Sequence, residues 1–219
     1  MRTLPVLAST LLALSLFASP AYARKDPAPP VAAWRPSDAE KVDNKAGNDA
    51  LVQHRYADAE ASFRAVLLVE PNCGQALVGL GRSLVEGGKP ADGLAPLTLA
   101  ATLFPAELDA QVNYARGLLA NAKPDEALAA ARVALAMKPS NVDAHHVAQA
   151  VFRGKKDYAG AHGMLTTARE VANLPAYDCM DGLTYAEEGR LDDAKKTWET
   201  CANVPDERLT DPLRAALGF

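Results

Sequence analysis

Between Gly47 and Asn141 the chain repeats a pattern of small, apolar and polar positions at a fixed interval, marked by the even spacing of Pro71, Pro105 and Pro139. Small residues recur twelve apart, as Gly47 with Ala59, Gly81 with Gly93 and Ala115 with Ala127. Four positions on stands Phe63, Leu97 or Ala131, and three further Val66, Ala100 or Ala134. Steps of three and four residues place side chains on one face of a helix. A small residue on one helix opposite a small residue on the next lets the two backbones approach, and a larger residue beside the contact fills the remaining space. The pattern therefore predicts helix pairs, each left with an apolar face that only the next pair can cover.

The expected helices run from Ser37 to about His54, Tyr56 to Glu70, Gly74 to Glu86, Ala91 to Leu103, Leu108 to Ala120 and Pro124 to Met137. Ser37 and Glu40 match a capping box, in which each side chain satisfies an orphan backbone donor. Pro124 falls at a helix start, where its missing donor costs little. Pro96 falls inside a helix, so a kink or a late start is expected there. The fourth unit keeps the spacing as Gln149 with Ala161, then Leu165 and Ala168, but Gln149 is not small and Asn173 stands in place of the proline. A fifth unit, Gly182 with Ala194, then Trp198 and Cys201, arrives one residue early. The join between units four and five is expected to be irregular.

These positions resemble the tetratricopeptide repeat, a helix-turn-helix unit of about 34 residues. The resemblance implies an all-α, right-handed superhelical solenoid of about five repeats, near residues 40–73, 74–107, 108–141, 142–174 and 175–204. Residues 205–219, with a short amphipathic segment from Asp211 to Leu217, would form a C-terminal cap, because terminal repeats need a covered or polar outer face.

Ahead of the repeats, residues 1–23 read as a secretory signal: Arg2, an apolar run from Leu4 to Phe17, and Ala21-Tyr22-Ala23 as a small-residue cleavage motif. The apolar run is shorter than the ~20 residues of a membrane span, and none is expected after signal removal. The expected destination is the bacterial periplasm. Residues 24–36 hold Pro27, Pro29, Pro30 and Pro36 and read as an extended, disordered linker.

Composition narrows the function classes. The 219 residues are 49% hydrophobic and 23% charged with a formal charge of -4, a balance that argues against nucleic acid as partner. No phosphate loop, nucleophile elbow or zinc spacing is present, so the chain reads as a non-enzyme without metal or cofactor. His145 and His146 are adjacent and point about 100° apart on a helix, which spoils them as a pair of metal ligands. Glu187, Glu188, Asp192 and Asp193 surround a turn and the first turn of a helix, where acids suit the helix dipole. Cys73 sits between repeats one and two. Cys179 and Cys201 belong to the two helices of repeat five, either as a disulfide suited to an oxidising compartment or as two buried thiols.

The resemblance also implies a binding face, since the first helix of each repeat lines the concave side. The implied lining is Asn44 and Asn48, then Gln75, Val78, Arg82 and Val85, then Val112, Asn113, Arg116 and Leu119, then His146, Val147 and Arg153. Asn48, Arg82, Asn113, Arg116, His146 and Arg153 are the candidates for contact with a peptide: amides can bond an extended backbone, and arginine can hold a carboxylate through two parallel bonds. The expected role is a non-catalytic scaffold that holds a segment of another envelope protein during assembly of a complex. The alternative is a regulatory or substrate-presenting subunit of an envelope enzyme, such as a cell-wall enzyme complex.

Overall fold

The computed structural model describes Trp34 and residues 41–218, all within the unit Ala32–Phe219. The signal segment, the linker apart from Trp34, and the Ser37 to Glu40 capping box lie outside the described residues. Eleven helices and no strand occur among those described. Five pairs are α1 (Lys41–Val52) with α2 (Tyr56–Val69), α3 (Gly74–Glu86) with α4 (Pro90–Leu103), α5 (Leu108–Ala120) with α6 (Pro124–Met137), α7 (Val142–Gly154) with α8 (Tyr158–Val171), and α9 (Pro175–Glu188) with α10 (Leu191–Cys201). A last helix, α11 (Glu207–Leu217), begins four residues before the amphipathic segment expected from the sequence and packs on α9 and α10.

Each helix packs on its partner and on the pair that follows, and the first helices α1, α3, α5, α7 and α9 also touch one another in succession. The result is an all-α solenoid. Its close approaches fall where the small residues recur. A Cβ on Gly93 would stand 2.8 Å from the carbonyl oxygen of Gly81, and one on Gly47 would stand 2.7 Å from Cζ of Phe63. Ala115 and Ala127 are wholly buried, as are Phe63 and Leu97 beside the corresponding contacts. Pro96 does not delay its helix: α4 starts at Pro90 and runs on through Pro96 to Leu103. Proline at the first helical position, where no donor is needed, explains the earlier start.

The turn inside each pair carries the same period. His54, Gly88, Ala122 and Lys156, each one repeat after the last, all hold positive φ, at 56°, 81°, 55° and 57°. In the fifth pair the left-handed residue is Gly189, one position early, which is the slip read from Gly182 and Ala194.

Gln149, where a small residue was expected, is wholly buried. Its amide donates to the carbonyl of Met180 at 2.5 Å and to Oγ1 of Thr184 at 2.7 Å, both on α9. The irregular join between pairs four and five is thus bonded rather than merely packed. Arg169 on α8 adds contacts to Asp178 at 3.0 Å and Asp181 at 2.9 Å. Nδ1 of His162 lies 2.5 Å from Asp181, and its ring stacks on Tyr185. Cys179 and Cys201 are bonded to each other with their Cα atoms 4.8 Å apart, and Cys73 is free and buried.

Candidate functional site

A groove of about 660 Å³ runs along the first helices. Asn48 from α1, Gln75, Val78 and Arg82 from α3, and Val112, Asn113 and Arg116 from α5 all line it. Their common face follows from the repeat: Arg82 and Arg116 are one repeat apart and occupy equivalent places on helices that touch. Trp34 and Leu51 supply apolar surface at the same groove, and Pro205, Asp206 and Arg208 bring the start of α11 to it.

Not every implied lining residue belongs there. Asn44 is buried and donates to Sγ of Cys73 at 3.8 Å, because the packing of α1 on α3 turns it into the interface. Val147 is 1% exposed, packed with Ala115, Leu118 and Val151 in the core. His146 and Arg153 lie beyond the residues lining the groove. Arg153 is taken up by Glu187 on α9, its Nε donating at 2.8 Å while a second nitrogen reaches the other carboxylate oxygen.

The groove's arginines are compensated from within the chain. Nη2 of Arg116 lies 3.0 Å from Oε1 of Glu86, and Nη2 of Arg82 lies 3.7 Å from the same oxygen. Glu86 therefore stands between two guanidinium groups that would otherwise repel. Asn113 is held by its own helix, donating to the carbonyl of Asp109 at 2.8 Å and accepting from Arg116 at 3.4 Å. Arg208 contacts Asp143 at 3.0 Å and Asp206 at 2.6 Å. Taken together, the lining sets Arg82, Arg116 and Arg208 against Glu86, Asp109, Asp143, Asp206 and Glu207. The groove leans acidic once these charges are counted, so arginine there pairs and orders carboxylates rather than forming a bare cationic stripe.

Burial governs the titration of this region. Burial, and then the Arg208 and Arg82 charges, pull the Arg116 guanidinium below its ordinary value, with Glu86 opposing. Burial, and then Arg208, Arg116 and Arg153, push His146 down to about 4, so it is neutral at physiological pH. Hydrogen bonding from Arg208 is the main cause that lowers Asp206. Among the described residues no group of three or more His, Cys, Asp or Glu is arranged to hold a metal ion, and no helix is long and apolar enough to cross a membrane.

Sequence reasoning missed Glu86, Asp143, Arg208 and Trp34. Glu86 follows Arg82 by four residues, a spacing that does pair side chains on a helix. Arg208 follows an irregular loop, and no periodic signal points to it.

Comparison with known proteins agrees with this architecture. The family model described as tetratricopeptide repeat matches residues 44–108. A thermophilic tetratricopeptide-repeat protein of Thermus thermophilus superposes with a TM-score of 0.71 at 19% identity, covering 82% of this chain and 100% of that one. The pilF protein of Pseudomonas aeruginosa superposes at 0.63 with 16% identity, covering 82% and 85%. The MamA protein gives 0.57 with 17% identity, covering 82% and 96%. No curated protein matches the chain in sequence. With its helix pairs in register from α1 to α10, the chain has the fold of a tetratricopeptide-repeat solenoid, and the repeat model itself matches its first two pairs.

Proposed function

We propose that this protein is a non-catalytic scaffold of the cell envelope that holds an extended segment of a partner protein in the groove along its first helices. The observation that carries the reading is the convergence of Asn48, Arg82, Asn113 and Arg116 from three successive repeats on one open groove. Half-buried arginine beside apolar Val78 and Val112 suits a peptide, whose backbone needs hydrogen bonds and whose side chains need apolar contact. Because Glu86 already balances Arg82 and Arg116, a carboxylate of the partner would compete with Glu86 for them. Export rests on the signal-like residues 1–23, and the Cys179 to Cys201 bond supports an oxidising compartment.

The test is capture from bacterial envelope extract with the mature chain as bait, beside an Arg82→Gln, Arg116→Gln variant. Gln keeps much of the bulk and removes the charge without stacking a third carboxylate on Glu86. Loss of a specifically retained protein, with helicity unchanged, supports the groove. Equal retention by both baits moves the binding surface elsewhere on the solenoid.

A further inference from the structure

Trp34 lies ahead of the repeats, and its place in the fold is specific. Its ring meets that of Phe104 edge to face, with centroids 5.3 Å apart, and it packs on the cluster of Leu77, Val78, Ala100 and Ala110. One repeat later, Val78, Ala100 and Ala110 become Val112, Ala134 and Ala144, which form the matching cluster of the next unit. There Leu108, the first residue of α5, packs on the cluster together with Leu135 of α6. The equivalent first residue of α3 is Gly74, and of α7 it is Val142.

Gly74 is not needed for the backbone, since it does not have positive φ. Its lack of a side chain makes room instead: a Cβ there would stand 2.7 Å from Cζ3 of Trp34 and 2.8 Å from Cε2 of Phe104. Repeat two thus has a socket where repeats three and four carry their own aliphatic plug, and an indole from outside the repeats fills it. Trp34 and Val78 both line the groove, so the socket opens onto the binding surface.

We propose, building on the groove reading above, that the socket of Gly74, Val78, Leu103 and Phe104 is an anchor site for an aromatic side chain of an extended peptide. Trp34 occupies it in cis as an intramolecular competitor. A partner segment bearing a tryptophan or phenylalanine takes the socket by displacing Trp34. Trp34 is the only aromatic residue between Arg24 and Glu40. A short tether gives such a competitor an effective concentration in the millimolar range, which sets a threshold that weak ligands do not cross.

The probe is a fluorescently labelled peptide of residues 24–40, added to the mature chain and followed by anisotropy. Trp34→Ala should bind it at least about tenfold more tightly than the wild type, where the cis copy competes. Adding Gly74→Leu to Trp34→Ala, which copies Leu108, should abolish binding, and so should Trp34→Ala within the peptide. Equal binding to Trp34→Ala with and without Gly74→Leu overturns the socket, as does no binding to a Trp34→Ala chain that keeps wild-type helicity. If Trp34→Ala alone does not fold, Gly74→Leu in a Trp198→Phe background decides: acrylamide quenching of Trp34 rises to that of free tryptophan, or stays low and the proposal falls. Because no partner is needed, failure here leaves the scaffold reading intact. Loss of envelope capture with peptide binding preserved would sink that reading alone.

Discussion

Arg116 on the third repeat reaches back 3.0 Å to Glu86 on the second, and both side chains are 22% exposed. The pair joins two first helices across the floor of the groove, where screening by water is incomplete. A double-mutant cycle with Arg116→Gln and Glu86→Gln should give a coupling of about 1 kcal/mol in urea unfolding. The same cycle at Lys155 and Asp125, whose side chains are 46% and 80% exposed, should give nearly zero. Equal couplings would mean that the groove is wetter than its geometry indicates.

The left-handed turn residues make a second prediction. A non-glycine residue in this conformation is strained by roughly 1–2 kcal/mol, and three of the four equivalent turns accept that cost at His54, Ala122 and Lys156. Ala122→Gly should raise stability by about 0.5 kcal/mol, the relief being partly offset by greater freedom of the unfolded chain. Gly88→Ala should lower it by about 1 kcal/mol. A Cβ at Gly88 would have nothing within 4 Å among the described residues, so the backbone alone is tested. Thermal midpoints moving in opposite directions check the sign.

Acid should weaken the stack through its histidines. The value of about 4 for His146 lies below the ordinary 6.5, so the unfolded chain takes up a proton first and stability falls as pH drops from about 7 toward 4. Arg208 of α11, Arg116 of α5 and Arg153 of α7 repel the charged ring, and Asp143 only partly offsets them. His145 acts in the same direction because it is buried: its Nε2 donates to the carbonyl of Pro139 at 2.9 Å, and its buried Nδ1 has no partner among the described residues. His146→Gln should therefore remove on the order of 1–3 kcal/mol of the acid-induced loss. Denaturant midpoints at pH 7 and pH 4.5 for the two chains measure it, and parallel shifts would refute it.

Cysteine chemistry is directly measurable. Non-reducing peptide mapping of the protein should find Cys179 linked to Cys201 and Cys73 unmodified. Replacing both linked residues by Ala should cost about 3 kcal/mol, the loop-closure value for their separation of 22 residues. Any link through Cys73 would contradict the packing of the fifth pair.

The helices are legible in the sequence because their signals are local and repeated. Gly81 with Gly93 and Ala115 with Ala127 mark contacts that only small residues permit, and Pro105 or Pro139 marks the gap before the next helix. The early arrival of the fifth unit is written in Gly182 and reappears in the turn at Gly189. The groove is legible only as a face. Register places Asn48, Arg82, Asn113 and Arg116 along one groove, but Asn44 turns inward. What each arginine pairs with depends on rotamers and on neighbours in the adjacent repeat, as Glu86 is for Arg116. Arg208 and Trp34 come from outside the repeats, where no period constrains them. Gln149 looks like a defect in the sequence because its partners, Met180 and Thr184, lie on a helix whose register has already slipped.

That buried amide also changes how the solenoid comes apart. A stack whose units contact only their neighbours opens piecewise, with each boundary giving way according to its own strength. The bonds from Gln149 and Arg169 to α9, with the Cys179 to Cys201 link behind them, tie α7 and α8 to the fifth pair. The joins of the first three pairs carry the buried contact of Asn44 with the Cys73 sulfur and part-buried bonds from Gln111 to the carbonyl of Ala101, from Asn121 to that of Pro90 and from Arg116 to Glu86. A partner held in the proposed groove would touch both parts of the stack, because Asn141, Asp143 and Arg208 line it beside Asn48, Arg82 and Arg116.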